Sequence, residues 1–460
     1  MRCLRLLFMV AALLAFSAAT ASAADQQPLF PLVSGLQKDA TAQVTIELNV
    51  GGEMLIQEEK QLQKMPLSVA AKLQYEERLL AWSPDGADPV RCLRYYNAAS
   101  ATIQVDKSEI QRRLPAKQRL LLAEIRDGHA AINGLARPLT REQLDLVNVV
   151  GNTLALEWLL PGRELAEGDH WNQKASTIGA LLGMDHVAVC EVSSVVTGEV
   201  NNHVQIRMAG TVHGTIDGAP TELELRAAYL FHQRQKRITK FNLAIQEHRT
   251  PGEVVPGLDI VAQVKLAIVP LDNKPRHTGD LLADRAQDAT QPLQRELLYD
   301  GRQRGFRFRY DAAWYVTAEQ TDLLSLRRLD RGDLIAQCNI TTLPARSAGR
   351  QTSLEQFERE VRQSLGEHLD DVTAATHWTT AQGHDCLGIV ANGKVEGLPI
   401  QWRYYLIADD DLPRVSIAFT VEQSSLQHFA DADRQIIDSL ELLDGQAAST
   451  AAKQNGKASR

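Results

Sequence analysis

Four consecutive stretches near the middle of the chain alternate apolar and polar side chains at a period of two. They are HVAVCEVSSVVTGEV (186–200), HVQIRMAGTVHGTIDG (203–218), TELELRAAYLFHQ (221–233) and RITKFNLAIQEHR (237–249), with short turns between them. That period puts one row of side chains on each face of a strand. Strands joined by tight turns pair antiparallel, because a parallel return needs a crossover of about a dozen residues or more. The same grammar appears upstream in VTIELNV (44–50), SVAAKLQYEERLLAW (68–82) and VRCLRYYNAASATIQV (90–105), the last two separated by the turn-rich SPDGADP. The expectation is an antiparallel meander over about 35–271, with one apolar face that must be covered.

The expected cover is a helix over 141–160. Thr140 and Gln143 form a capping box, Leu144, Val147, Leu154 and Trp158 follow at helical spacing, and Pro161-Gly162 ends the run. A long curved sheet with a helix against its concave side resembles the exported lipoprotein carriers of the LolA kind, in architecture and not in motif. EGDHW (167–171) and PGLDIVAQVKLAIVP (256–270) resemble segments of uncharacterised exported bacterial proteins, a resemblance that implies no function. Beneath such a helix, Leu154, Trp158 and Trp171 are the candidate lining for an apolar ligand; the alternative is that they are plain core.

A second unit, about 295–444, alternates strands with two helical patterns. GFRFRYDAAWYV (305–316) and SLRRLDRGDLIAQCNITTL (325–343) read as strands, and TSLEQFEREVRQSL (352–365) as a helix capped by Thr352. HDCLGIVANG (384–393), LPIQWRYYLIAD (398–409) and RVSIAFTVE (414–422) read as a three-strand meander. SLQHFADADRQIIDSLELL (425–443) reads as a closing helix with Phe429, Ile436 and Leu440 on one face. This order, with GFRFRYDAAW at its start and IIDSLEL at its end, resembles the PsbP/DcrB-like family over most of 303–443. The resemblance implies an antiparallel sheet flanked by helices and a binding or accessory role, without catalytic residues. The chain as a whole is therefore expected to be α+β. The polar stretch 272–294 reads as a linker, and 445–460, with almost nothing to bury, as a disordered tail.

The first 24 residues, MRCLRLLFMVAALLAFSAATASAA, combine two arginines, a short apolar run and the small-residue exit Ala21-Ser22-Ala23. This is the pattern of a secretory signal peptide, so the mature chain is expected in the periplasm or outside the cell. The run is shorter than the 20 or so residues that cross a bilayer, and no transmembrane segment is expected after cleavage. Four cysteines then remain, Cys92, Cys190, Cys338 and Cys386. An even number in an oxidising compartment reads as disulfides, and Cys92–Cys190 with Cys338–Cys386 keeps each bridge within one unit. Buried free thiols are the alternative.

Composition argues against several partners. A net charge of −8 speaks against nucleic acid, whose phosphates need clustered Lys and Arg. Only 5% of residues are aromatic, few for a binder that stacks sugars or bases. Neither GxSxG, HExxH, GxGxxG nor GxxxxGK occurs. No catalytic, metal or cofactor residues are expected. His203 and His213 have the even spacing that shares a strand face, with His170, Asp185 and His186 nearby, and His377, His384 and Asp385 invite the same thought. Solvated or hydrogen-bonded histidines explain both groups. Glu76-Glu77, Asp85 with Asp88, and Asp409-Asp410-Asp411 read as solvated or turn-capping charges, and HQRQKR (232–237) as a solvated turn. The function expected is an exported, non-enzymatic binding or accessory protein of the bacterial envelope, its partner a protein or an apolar small molecule. The alternatives are a lipid carrier and, more remotely, a secreted metal-dependent hydrolase.

Overall fold

The computed structural model describes residues 28–58, 61–271, 277–278, 293–330, 332–345, 352–409 and 412–443. The signal-like leader 1–24, most of the 272–294 stretch and the 445–460 tail lie outside the described residues.

The first unit contains β1 (Phe30–Leu32), β2 (Thr41–Glu58), β3 (Gln61–Ala81), β4 (Val90–Val105), β5 (Ser108–Arg113), β6 (Leu120–Arg126) and β7 (His129–Gly134). Then come α1 (Arg141–Val147), α2 (Thr153–Leu156), β8 (Arg163–Leu165), β9 (His170–Asn172) and α3 (Ala175–Leu182). It closes with β10 (His186–Val200), β11 (His203–Ile216), β12 (Ala219–His232), β13 (Arg237–Arg249) and β14 (Gly257–Pro270). Twelve strands form one open antiparallel sheet in the order β7-β6-β4-β3-β2-β14-β13-β12-β11-β10-β9, with β5 beside β4. Alternation reports burial faithfully: along β12, Leu223, Leu225, Tyr229 and Phe231 are buried while Glu222, Glu224 and Arg226 are exposed. The three helices pack on that inner face, Leu154, Leu156, Ile178 and Leu181 joining the same apolar cluster as Tyr229 and Phe241.

The single helix expected over 141–160 is two short ones. Its capping box is present as read, the Thr140 side chain accepting from the Gln143 N–H. The chain leaves helical geometry at Asn148 (φ −91°, ψ 66°), and Gly151 takes φ +91°. The Asn152 side chain then caps α2 by accepting the Leu154 N–H at 3.2 Å. Two adjacent valines and a glycine favour this break, because β-branched residues and glycine both weaken a helix interior. Helix α3, which has no side-chain cap, left no signal at its start.

The second unit contains β15 (Glu296–Gly301), β16 (Phe306–Asp311), β17 (Trp314–Glu319), β18 (Leu323–Asp330), β19 (Asp333–Leu343) and α4 (Leu354–Leu365). It continues with β20 (Leu369–Thr379), β21 (Asp385–Val395), β22 (Leu398–Ala408), β23 (Arg414–Glu422), α5 (Leu426–Phe429), α6 (Ala432–Ser439) and β24 (Glu441–Leu442). Seven strands pair as β17-β18-β19-β23-β22-β21-β20, and β15-β16-β24 form a separate small sheet. The cap of α4 is Ser353, which accepts the Gln356 N–H at 3.2 Å, and not Thr352. The expected closing helix breaks at Ala430 (φ +47°) and ends as β24, pairing with β16. Phe429, Ile436 and Leu440 are buried as their spacing implied.

The expected disulfides do not form; all four cysteines are free. Cys92 on β4 and Cys190 on β10 stand at distant positions of the twelve-stranded sheet. Cys338 on β19 and Cys386 on β21 are separated by β23 and β22. Three strand spacings are about 14 Å, twice the Cα separation a disulfide tolerates. Burial pushes the Cys92, Cys338 and Cys386 thiols up, so they act as small core hydrophobes.

The twelve-, seven- and three-stranded sheets share one apolar cluster. Leu139 and Leu297 form a parallel bridge, with the Leu298 N–H donating to the Leu139 carbonyl at 2.8 Å. The two-residue turn between β11 and β12, Asp217 (φ +48°) and Gly218 (φ +74°), meets the second unit. A Cβ on Gly218 would lie 2.9 Å from Leu329 Cδ1, so both the turn and the close approach require glycine. The described residues of the stretch read as a linker, 277–278 and 293–294, meet the sheet on its outer face. Glu76 Oε1 accepts from the His277 and Thr278 N–H groups, and Leu293 N–H donates to Glu124 Oε1.

Candidate functional site

Helix α1 sits over a patch of the inner face where the sheet side chains are small or thin. Leu48, Ala71, Ala101 and Ile103 form the floor of a crevice of about 260 Å³, roofed by Leu146 and Val149. Alanines at two floor positions, beneath a helix of only two turns, leave the space unfilled. The Arg112–Glu142 ion pair (2.7 Å) lies at its rim.

On the other side of α1 is a larger, polar cleft of about 360 Å³ between the two units. Asp145 and Val149 border both hollows. Its walls are β7 with His129, α1, the end of α3, the β11–β12 turn, the end of β13, and residues around β15 and β17, among them Arg295, whose side chain makes no hydrogen bond or ion pair among the described residues. Arg141 is engaged: its Nη2 donates to the Trp314 carbonyl (2.9 Å) and its guanidinium lies 4.4 Å from the Tyr315 ring centre. Tyr315 in turn donates to Asp217 Oδ1 at 2.8 Å. Asp185 Oδ2 accepts the Gly218 N–H at 2.9 Å. Arg249 is ion-paired with Glu247 at 2.6 Å. Asp145 makes no hydrogen bond or ion pair among the described residues. Its side chain reaches cleft solvent, yet protein crowds it, and this desolvation pushes its carboxyl up to about 6 against the pull of Arg141. Desolvation raises Asp185 as well, with Asp217 adding to the shift.

The sequence-selected lining residues lie elsewhere. Leu154 is fully packed in the core. Trp158 Nε1 donates to the Ser83 carbonyl (2.9 Å), and its ring stacks on Trp82 with centroids 6.2 Å apart. Trp171 Nε1 donates to the Leu159 carbonyl at 2.9 Å. Neither hollow described above is bordered by these three.

Glu76 and Glu77 do point to opposite faces, but both are buried instead of solvated. Glu77 accepts from Arg94 Nε (3.0 Å) and Thr153 Oγ1 (2.5 Å), while Arg94 Nη2 donates to Asn152 Oδ1 (3.0 Å). This pair fastens the cap of α2 to the sheet. A further buried acid, Glu157, accepts the Ile238 N–H at 2.9 Å; burial pushes it up to about 7 despite the nearby Arg237. Asp85 is the turn cap expected, accepting from Ser83 and from the Ala87 N–H.

Among the described residues no three His, Cys, Asp or Glu side chains gather as a metal-ligand group. His203 packs on His232, and His213 Nδ1 lies 3.8 Å from Glu222. His377 pairs with Asp385, and His384, buried, bridges Asp409 (3.1 Å) and the Leu442 N–H (3.2 Å). Asp410 and Asp411 lie outside the described residues. Asp145, Asp217, Arg295 and Tyr315 were not selected from the sequence. Asp145 reads there as an ordinary polar-face residue of a helix, though Asp217-Gly218 carried a hairpin-turn signal.

No family model matches the chain, and no curated protein matches it. Solved structures with some likeness include PsbP from the cyanobacterium Synechocystis, at 12% identity and TM-score 0.25, covering 33% of this chain and 94% of that one. A Bacteroides thetaiotaomicron protein is 13% identical at TM-score 0.25, covering 32% of this chain and about half (49%) of its own. Lipovitellin is 9% identical at TM-score 0.30, covering 51% of this chain and 25% of that one. Likenesses at this level carry no argument about function. No helix among the described residues is long and apolar enough to cross a membrane.

Proposed function

We propose that the chain is an exported binding protein of the cell envelope that carries an amphipathic small molecule, with a PsbP/DcrB-like second unit buttressing the site. The ligand's apolar part lies in the crevice between α1 and the large sheet, and its polar part faces the cleft between the units. The observation that carries this reading is the pair of adjoining hollows, one floored by alanine and aliphatic side chains with charges at its rim, the other mixing apolar residues with several charged ones, both bordered by Asp145 and Val149. Pockets for small molecules combine an apolar lining with a few polar groups that fix orientation.

The test is binding of decanol to the purified full chain, followed by native mass spectrometry and thermal shift, with Ala101→Phe as the crevice-filling variant. Saturable binding by the wild type and its loss in Ala101→Phe, at unchanged circular dichroism, is the expected result. Val149→Phe, at the helix end, serves where Ala101→Phe does not fold. Absence of decanol binding by the wild type overturns the reading.

A further inference from the structure

We propose that the outer face of the large sheet carries a separate site, independent of the crevice, that binds an acidic oligosaccharide. On the outer side of β11–β14 a shallow trough of about 340 Å³ opens where the side chains shorten. Two cross-strand rows build it. In one, Arg207, Ala228, Asn242 and Lys265 stand side by side on β11, β12, β13 and β14. In the next, Ala209, Arg226, Ala244 and Gln263 do the same. Ala228 and Ala244 form an apolar floor, and the longer side chains rise around it. Arg207 and Lys265, at opposite ends of their row, are exposed and make no hydrogen bond or ion pair among the described residues. The side-chain amides of Asn242 and Gln263 are equally free there. Arg226 is held by Glu224 at 2.7 Å and closes one side. Among the described residues no acid and no aromatic ring lines the trough.

Charge and shape limit the occupant. Arg207 and Lys265 are three strand spacings apart, about 14 Å, so an occupant that meets both is elongated and acidic at more than one point. It also lies across the strands, because along them the outer face turns acidic at Glu222 and Glu224 on β12 and Asp259 on β14. A flat anionic surface or a nucleic-acid duplex laid on this face would meet those carboxylates. Side-chain amides both donate to and accept from hydroxyls, and methyl groups suit C–H faces. A chain of uronic acid sugars offers this combination: carboxylates for Arg207 and Lys265, hydroxyls for Asn242 and Gln263, and ring C–H groups for the alanines. An acidic peptide fits less well. Its backbone needs N–H and C=O partners, and those of β11–β14 are engaged with neighbouring strands.

Three tetramers separate the possibilities, titrated calorimetrically into the full chain at neutral pH and low salt: tetragalacturonate, maltotetraose and tetraglutamate. Tetragalacturonate is expected to bind, and to weaken as salt is added. Neutral maltotetraose should bind about tenfold more weakly or less. Arg207→Gln and Lys265→Gln should each weaken tetragalacturonate about fivefold, the upper scale of one exposed ion pair, with unchanged thermal melting. Lys64→Gln, which removes an exposed cation from the β2–β3 hairpin, should leave binding as it is. Absence of tetragalacturonate binding, or an equal loss in Lys64→Gln, overturns the site. Tetraglutamate binding as tightly as tetragalacturonate overturns the sugar assignment. None of these substitutions touches the crevice, so decanol binding should persist in all of them, and the two sites stand or fall separately.

Discussion

Inside the large sheet, Glu77 and Arg94 face each other across β3 and β4, and the side chains of Asn152 and Thr153 at the start of α2 close around them. Inside the seven-stranded sheet, the corresponding position in the core is filled by rings: Trp314, Phe419, Tyr405 and Phe429 meet edge-on or tilted, with centroids 5.8–6.3 Å apart. The strands of both sheets follow the same period-two rule. The difference lies in what closes the inner face. In the second unit α5 and α6 bring Phe429, Ile436 and Leu440 against the sheet, and a buried ion pair, Asp433 with Arg403 at 3.0 Å, holds α6 there as well. In the first, short helices must sit within a wide concave face, and polar pairs fix them in place where apolar contact alone would not specify one position. Both interiors keep a buried charge pair, and the first also keeps empty space beneath α1, which is what a binding site needs.

The comparison can be broken at its strongest point first. Arg94→Met leaves Glu77 buried without its cation and is expected to cost about 3–5 kcal/mol in denaturant unfolding. Adding Glu77→Leu should recover most of that loss. A cost below about 1 kcal/mol would mean the pair does not hold α2 to the sheet. Phe419→Ala in the second unit should cost about 3–4 kcal/mol through lost packing. No second substitution of a charged partner should rescue it, and a rescue of that kind would show that the two interiors are not different in kind.

The smallest effect concerns pH. Asp145 and Glu157 hold their protons more tightly folded than unfolded, with carboxyls pushed up to about 6 and about 7. Their contribution to stability is therefore full below about pH 4 and declines as pH rises through those values. Facing Asp145 are Arg141, which opposes the shift, and Asp217 and Glu142, which add to it. In urea unfolding measured from pH 4 to 8, Asp145→Asn should remove the part of the decline between about 4 and 6. Coincident slopes for wild type and variant would place Asp145 in ordinary solvent and end its claim to a crowded site.

Much of the architecture was readable in the chain because it depends on local periodicity. The strands over 186–249, the capping box at Thr140 and Gln143, and the buried face of α4 at Phe357, Val361 and Leu365 all follow from side-chain spacing. The misreadings share a cause. The break after Val147 replaced a uniform helix because tertiary contacts took over a weak helical stretch, with Asn152 turned to Arg94. The disulfide pairing failed because keeping each bridge within one unit says nothing of which strands are neighbours, and strand order places the cysteines too far apart. Trp158 and Trp171 read as core ahead of ligand lining, and their indole N–H groups meet backbone carbonyls.

What the sequence determined by itself is the alternation: which rows of side chains face inward, and hence antiparallel sheets in an α+β chain. Only the tertiary structure decided that alanines 71 and 101 would face a short helix, that Asp145 would stand at the seam of two hollows, and that the Asp217-Gly218 turn would reach the second unit. The physical reason is range. A period of two is written in neighbouring residues, whereas a cavity and its charges are assembled from strands and turns a hundred or more positions apart.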